Sequence, residues 1–175
     1  MESVDAIRKV IRTIPDFPKP GINFKDITPI LSDLALLKSA VQHLKKPFED
    51  QNITKVVAIE SRGFVLGPMV ALELGAGFVP VRKEGKLPRE TRSVAYNLEY
   101  GSDRIEMHLD SVLPSDRVLI HDDLLATGGT AAATETLVER SGAEIVGFTF
   151  LVEIPELNGR AKLQRNHKIH VVVQT

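Results

Sequence analysis

The 175-residue sequence contains no cysteine and no tryptophan, and aromatic residues make up only 5% of it. The absence of cysteine excludes disulfide scaffolds, thiolate zinc sites and cysteine nucleophiles. An excess of one charge is also missing, because 22 Lys and Arg residues are balanced by 23 Asp and Glu residues, for a formal net charge of −1. This balance argues against a strongly basic nucleic-acid-binding protein, so no nucleic-acid partner is expected.

Long apolar runs are missing as well. No run approaches the ~20 residues that a helix needs to span a bilayer. Residues 1–14 interleave charged with apolar side chains, unlike a secretory signal peptide. We therefore expect a cytoplasmic protein with no membrane partner. The composition, 43% hydrophobic and 26% charged, is that of a globular protein, and the length favours one domain over residues 1–175.

Short apolar segments alternate with segments of helical periodicity along most of the chain. Strands are predicted over residues 55–59, 78–81, 117–121, 145–154 and 169–173. Helices are predicted over residues 4–14, 34–48, 65–74, 131–141 and 156–163. This alternation indicates an α/β fold with a mainly parallel sheet flanked by helices. Ligands of such sheets bind beyond the carboxyl ends of the strands, where the loops 60–63, 82–86 and 122–130 are expected.

Two segments lie outside this minimal sheet. Residues 16–31 are rich in proline and are expected to be extended or turning, yet they carry several apolar side chains. A long apolar loop usually covers something, so we expect an N-terminal hood over residues 1–31. Alternating residues over 94–98 and 104–108 predict a β-hairpin, and residues 82–108 are expected to form a flexible loop and a flap.

The strongest chemical signal is the segment 118–130, Val-Leu-Ile-His-Asp-Asp-Leu-Leu-Ala-Thr-Gly-Gly-Thr. Gly128 and Gly129 let backbone N–H groups converge, and the helix that follows adds free N–H groups and a partial positive charge. Such a turn suits a phosphate monoester. The carboxylates of Asp122 and Asp123 beside it suit ribose hydroxyls or the electrostatic support of a cation.

This segment resembles the phosphoribosyl-pyrophosphate signature of the type I phosphoribosyltransferases. Residues 15–29, 60–64, 81–88 and 97–101 resemble, in order and spacing, motifs of those family members that act on adenine. The resemblance implies transfer of the 5-phosphoribosyl group from phosphoribosyl pyrophosphate to N9 of adenine, which yields AMP and pyrophosphate in purine salvage. It also implies Mg²⁺ as the cofactor and a homodimer as the assembly.

The resemblance assigns site residues position by position. It places the 5′-phosphate on Ala126, Thr127, Gly128, Gly129 and Thr130. It places the ribose beside Asp122 and Asp123. It places pyrophosphate on Ser61, Arg62, Arg82, Lys83 and Lys86, of which Arg82 matches a position that reaches the partner's site in related dimers. It places adenine on Phe24, by stacking, and on the backbone groups of Asn23 and Lys25.

Glu99 of the flap is the implied catalytic residue, which would exchange a proton with adenine N7 as N9 becomes glycosylated. The resemblance also implies a cis peptide bond without proline at Glu60–Ser61. No protein ligand of Mg²⁺ is expected, because substrate oxygens and water usually hold this ion where phosphates dominate a site. His121 departs from the family pattern and is interpreted as a structural histidine.

Two alternatives stay open at this point. The first keeps the family but changes the base to hypoxanthine, guanine, xanthine or orotate. The second is a regulator that binds phosphoribosyl pyrophosphate without catalysis and acts on nucleic acid. The adenine-type hood and flap motifs argue against the first alternative. The net charge of −1 and the lack of a helix-turn-helix pattern before residue 16 argue against the second.

Overall fold

The computed structural model describes residues 1–97, 102–164 and 166–175. Within these residues the main sheet has seven strands in the order β5-β6-β4-β3-β7-β8-β9. The strands are β3 (Lys55–Ile59), β4 (Gly77–Lys83), β5 (Thr91–Asn97), β6 (Ser102–His108), β7 (Arg117–Leu125), β8 (Glu144–Glu153) and β9 (Lys168–Gln174). From β4 to β9 all neighbours are parallel, whereas β5 and β6 are antiparallel additions at one edge. The predicted mainly parallel α/β sheet is confirmed.

Helices cover both faces of this sheet. They are α1 (Val4–Val10), α2 (Thr28–Ser32), α3 (Leu34–Lys45), α4 (Gly63–Leu74) and α5 (Gly129–Glu139), with short 3-10 helices at Lys46–Phe48, Pro155–Leu157 and Gly159–Lys162. Polar side chains cap two of these helices: the hydroxyl of Ser3 accepts from the N–H of Ala6 in α1, and the carboxylate of Asp33 accepts from the N–H groups of Ala35 and Leu36 in α3. Among the described residues, none of these helices has the length and apolar character required to cross a membrane.

Two apolar cores flank the sheet because successive residues of a strand point to opposite faces. In β3, Val57 lies in the core that α5 helps to close, whereas Val56 lies in the core beneath α1, α3 and α4. Ile120 and Leu119 of β7 divide in the same way. Both faces of the central strands are therefore buried, which explains why their sequences are continuous apolar runs.

The hood differs in detail from its prediction. The helix predicted over residues 4–14 ends at Val10, and β1 (Arg12–Ile14) follows and pairs antiparallel with β2 (Phe24–Asp26). The prediction of a purely extended or turning segment over 16–31 was also wrong, because α2 begins at Thr28, where the Asp26 carboxylate accepts a hydrogen bond from the backbone N–H at 2.9 Å.

The flap hairpin is confirmed as β5 and β6, which pair from Thr91↔His108 to Asn97↔Ser102. Both strands begin earlier than predicted, because the ladder continues to Thr91↔His108 at the base of the hairpin and to Asn97↔Ser102 at its other end. The predicted catalytic residue Glu99 lies outside the described residues.

Two other boundaries were wrong for identifiable reasons. The loop predicted over 122–130 begins only after Leu125, because the long β8 supplies pairing partners as far as Leu125↔Glu153. The helix predicted over 156–163 is instead two 3-10 helices, since Asn158 between them has φ +50°. Because β7 continues as far as Leu125, Asp122 and Asp123 lie on a strand, whose rigidity fixes both carboxylates.

Candidate active site

The candidate site lies at the carboxyl ends of β3, β4 and β7, as expected for a parallel sheet. Glu60 follows β3 and its peptide bond to Ser61 is cis, as the resemblance implied. A cavity of about 320 Å³ connects this turn to the carboxylates on β7; its lining comprises Glu60, Ser61, Arg62, Asp122, Asp123 and Leu124. The structure thus brings the predicted turn and the predicted ribose carboxylates together around one opening.

Backbone geometry shapes the loop between β7 and α5, which we call the phosphate loop (residues 126–130). Gly128 caps α5 with φ +76°, a conformation that a residue with a side chain rarely adopts. Its carbonyl accepts the N–H of Ala132 at 3.0 Å, which starts the helix. A small cavity of about 80 Å³ lies against residues 122–131. All five residues predicted to hold the 5′-phosphate lie together here, at a helix N-terminus that favours an anion.

The two carboxylates next to this loop are held in an environment that resists charge. Asp123 is only 3% exposed. Burial raises the pKa of Asp122 well above its ordinary value, and the neighbouring charge of Asp123 raises it further. Burial also raises the pKa of Asp123, but the Arg62 guanidinium opposes that shift. Asp123 is therefore the carboxylate of the pair that better keeps its negative charge.

Arg62 joins the hood to these carboxylates. Its Nε lies 2.9 Å from Oδ2 of Asp123, and its Nη1 donates to the backbone carbonyl of Lys25 at 3.2 Å. Its guanidinium also lies 4.7 Å from the centre of the Phe24 ring, a cation–π distance. Phe24 in turn contacts Phe17 edge-on at 5.2 Å. The predicted adenine-stacking residue and a predicted pyrophosphate ligand are therefore in direct contact, while Asn23 is exposed beside them.

The other predicted cations form a second group with two carboxylates, which we call the cation cluster: Glu60, Arg82, Lys83, Lys86 and Asp103. Glu60, with a side chain only 7% exposed, accepts from Arg82 at 2.8 Å and from Lys86 at 2.7 Å. Lys83 pairs with Asp103 at 2.8 Å. Burial alone would raise the pKa of Glu60, but hydrogen bonds from Lys86 and Arg82 outweigh it and lower this pKa. Each cation of the cluster thus has an acidic partner.

Sequence reasoning missed the acidic side of this cluster. Glu60 was named only for the cis peptide bond that the resemblance implies, and Asp103 was not singled out. Glu106 was also missed: it is buried on β6 and accepts from the backbone N–H groups of Lys86 and Leu87, each at 3.1 Å. Both neighbours of Glu106 in the strand are buried apolar residues. The alternation of apolar and polar residues along β6 therefore predicts an exposed glutamate here, not a buried one.

His121 is fully buried beneath the site, in agreement with its interpretation as a structural histidine. Its Nδ1 lies 3.0 Å from the backbone carbonyl of Thr149, so Nδ1 carries the proton. Burial lowers the pKa of His121 to about 4, which keeps the ring neutral. Within the described part of the chain, no group of three or more His, Asp or Glu side chains could hold a metal ion.

Comparisons with known proteins agree with this arrangement. The model of the phosphoribosyl transferase domain family matches residues 29–174. The chain is 52% identical over 170 residues to the adenine phosphoribosyltransferase of Nitrosococcus oceani, covering 97% of this chain and 99% of that protein. Its structure is similar to that of the adenine phosphoribosyltransferase of Rhodothermus marinus, with a TM-score of 0.95, 57% identity and 98% coverage of both chains.

It is also similar to a Saccharomyces cerevisiae adenine phosphoribosyltransferase complexed with D-2,5-dideoxy-2,5-imino-altritol 1,6-bisphosphate and adenine. That similarity has a TM-score of 0.91 and 39% identity, and covers 97% of this chain and 98% of that one.

Proposed function

The chain belongs to the phosphoribosyl transferase family, and we propose that it transfers the 5-phosphoribosyl group of phosphoribosyl pyrophosphate to N9 of adenine, forming AMP and pyrophosphate in purine salvage. One observation carries this proposal: a phosphate loop at the start of α5 adjoins a buried carboxylate pair, and Arg62 links that pair to an aromatic ring of the hood. In this proposal phosphate, ribose and base would occupy adjacent places. The identities of 52% and 57% to proteins named adenine phosphoribosyltransferase support adenine as the base.

The proposed reaction breaks the bond from C1′ of the ribose to pyrophosphate as N9 of adenine attacks the same carbon. Positive charge develops on the ribose in the transition state. Asp122 and Asp123 would accept hydrogen bonds from the ribose hydroxyls, and Asp123, which better keeps its negative charge, would contribute most to stabilising the positive charge; its burial strengthens that electrostatic effect. The 5′-phosphate would be held by backbone N–H groups of the phosphate loop and by the hydroxyls of Thr127 and Thr130.

Pyrophosphate would be held by the cation cluster together with Ser61 and Arg62. Because Glu60 and Asp103 occupy the cations in this structure, binding of pyrophosphate exchanges one anionic partner for another. The side chains of Lys86 and Lys83 are 48% and 56% exposed, so the existing ion pairs contribute only about 0–1 kcal/mol each. The exchange therefore costs little on the side of the two lysines, whereas it also takes Arg82 and Lys86 away from the Glu60 carboxylate, which is only 7% exposed.

Adenine would stack on Phe24, with backbone groups of Asn23 and Lys25 reading its edge, and Glu99 would take the proton from N7. The Arg62 guanidinium lies over one face of the Phe24 ring, so stacking of adenine on that face would require Arg62 to leave it. We also propose that residues 1–175 act as one domain, with the hood over 1–31 and the flap within 82–108.

Mg²⁺ is the cofactor implied by the family. The described residues do not supply a cluster of three His, Asp or Glu side chains, so a site made by their side chains alone does not fit the ion. Mg²⁺ keeps several waters and binds phosphate oxygens readily, which favours delivery with phosphoribosyl pyrophosphate. Its requirement is checked by assaying activity across a magnesium titration with a chelator as control.

A homodimer in the cytoplasm completes the proposal. The α4 helix exposes apolar side chains, including Leu72 at 81%, and Phe78 of β4 is exposed beside it. Such an apolar surface is typical of a protein interface. Sedimentation equilibrium tests the assembly: twice the 19.3 kDa chain mass supports the dimer, and the single mass overturns it.

The decisive experiment measures pyrophosphate release with phosphoribosyl pyrophosphate and Mg²⁺, comparing adenine with hypoxanthine, guanine and orotate. The proposal expects release with adenine alone and a large loss of kcat in Glu99→Ala. Activity with another base would overturn the choice of adenine. Tight binding of phosphoribosyl pyrophosphate without turnover of any base would instead favour the non-catalytic regulator.

A further inference from the structure

Gly159 lies outside every motif found in the sequence, yet its backbone packs directly against the phosphate loop. A Cβ atom at this position would come far inside 3.0 Å of the Ala126 carbonyl oxygen, a separation that real Cβ atoms essentially never show. It would also lie 3.1 Å from the Gly128 nitrogen. The contact is reciprocal, because a Cβ on Gly128 would collide with the carbonyl of Gly159. The two backbones thus approach more closely than any side chain allows.

The segment that carries Gly159 is itself anchored to the end of the sheet. Arg160 donates two hydrogen bonds to the Glu153 carboxylate, from Nε at 2.6 Å and from Nη2 at 3.0 Å. Gln174 of β9 donates a third at 2.8 Å. Burial of Glu153 raises its pKa, but the bonds from Arg160 and Gln174 outweigh burial and lower this pKa. The carboxylate therefore stays charged and keeps its hold on Arg160.

The same segment is joined to the strand that leads into the loop. The backbone N–H of Ile154 donates to the carbonyl of Leu125, the last residue of β7, at 3.0 Å. The phosphate loop is thus bounded on one side by its own strand and on the other by the Gly159 backbone. The Gly159 backbone packs tightly against the Ala126 carbonyl and against Gly128. The peptide groups of residues 126–128 therefore have little room to reorient.

We propose that Gly159, held by the Glu153–Arg160 pair, is a positioning residue for the phosphate loop and sets its affinity for the 5′-phosphate of the substrate. The inference rests on the proposed function of that loop. Gly159 makes no contact with the phosphate; it acts by fixing the peptide groups that bind it. Displacement by a single methyl group at residue 159 should therefore weaken phosphate binding without altering pyrophosphate binding, which depends on side chains elsewhere.

Gly159→Ala tests this inference, and Gly147→Ala is its matched control. A Cβ at Gly147 would also collide with a backbone carbonyl, that of Lys168, but in β8 away from the loop. Calorimetric titration with ribose 5-phosphate and, separately, with pyrophosphate gives two affinities for each variant. We expect Gly159→Ala to bind ribose 5-phosphate at least about tenfold more weakly, since small misplacements of binding groups are costly, with pyrophosphate affinity unchanged. Gly147→Ala should leave both affinities unchanged in the folded protein.

A second variant keeps the inference testable if Gly159→Ala does not fold. Arg160→Lys retains the charge but loses the two-pronged bond to Glu153, and introduces no clash. It should weaken ribose 5-phosphate binding alone, by about threefold. Wild-type affinity for ribose 5-phosphate in both Gly159→Ala and Arg160→Lys would overturn the inference, as would equal losses for both ligands. Failure of the wild-type protein to bind ribose 5-phosphate would overturn the proposed function of the loop instead.

Discussion

The phosphate loop follows β7 and the cation cluster gathers at the ends of β3 and β4, and the two are built on different principles. The loop presents backbone groups at a helix N-terminus, packed against Gly159, with no room for an added methyl group. The cluster presents long side chains whose charges are already satisfied by Glu60 and Asp103. The first is shaped before the ligand arrives, whereas the second must exchange partners. Under the proposed function, one substrate would be held rigidly at one end and by exchangeable charges at the other.

The largest effect should come from breaking the rigid end. Gly128→Ala places a Cβ at φ +76° and against the carbonyl of Gly159, so the loop must deform. We expect kcat/KM for phosphoribosyl pyrophosphate to fall by about 100-fold or more, as misplaced binding groups can cost that much. Steady-state kinetics with adenine in excess measures it. Thr127→Ala, which removes an exposed hydroxyl from the same loop, is the control and should cost less; an equal loss in both would contradict a backbone-based site.

His121, on the strand that leads into the phosphate loop, should make the stability of the protein depend on pH. The folded pKa of His121 is about 4, below the 6.5 of an ordinary histidine, so the unfolded chain binds the extra proton first. As far as His121 is concerned, the free energy of unfolding is highest above about pH 6.5. It falls by about 3 kcal/mol as the pH is lowered to about 4. His121→Leu should remove that part of the pH dependence. Urea denaturation at several pH values from 7 to 4 measures the free energy of unfolding of both proteins. The same dependence of this free energy on pH in the wild type and in His121→Leu would refute the prediction.

The exchangeable end should respond to loss of single charges. Lys86→Met removes one of the cations that would leave Glu60 to bind pyrophosphate. We expect the affinity for pyrophosphate to fall about tenfold and the affinity for ribose 5-phosphate to stay unchanged. Arg89→Met is the control, because Arg89 is an exposed cation of the same loop that pairs with Asp110 outside the site. Titration calorimetry reports both affinities. Similar losses in the two variants would show a general charge effect rather than a role for Lys86.

The smallest effect should have the opposite sign. Glu60→Gln removes the anion that competes for Arg82 and Lys86, so pyrophosphate should bind about threefold more tightly, in keeping with ion pairs whose cationic partners are partly exposed. Glu84→Gln is the control, since Glu84 pairs with Arg104 instead. Weaker binding in Glu60→Gln would show that Glu60 positions the cations rather than competing for them.

The same contrast explains how far sequence reasoning reached. The phosphate loop was predictable because its chemistry is local: Gly128 and Gly129 stand between a strand and a helix, and the sequence shows all three. The fold class was predictable for a similar reason, since buried parallel strands have continuous apolar runs. Glu99 stays a prediction from the family resemblance, because it lies outside the described residues.

The acidic partners were not predictable because they are defined by contacts between distant segments. Glu60 meets Lys86 across 26 positions of sequence, and Gly159 meets Ala126 only once β8 has returned the chain to the loop. Strand ends depend on partners in the same way: β7 extends through Asp122 and Asp123 because β8 is long enough to pair with it. Periodicity within one segment contains no information about such partners.

The position of α1 has a consequence for how the molecule is made. Ile7 of α1 is buried in the same core as Val172 and Val173 of β9, near the other end of the sequence. During translation α1 leaves the ribosome long before β9 exists, so its apolar face at first lacks the part of its packing surface that β9 provides. The hood, to which α1 belongs, is therefore among the first parts synthesised but is completely packed only after β9 has been made. Chains interrupted before β9 would present an exposed, unanchored hood to chaperones and proteases.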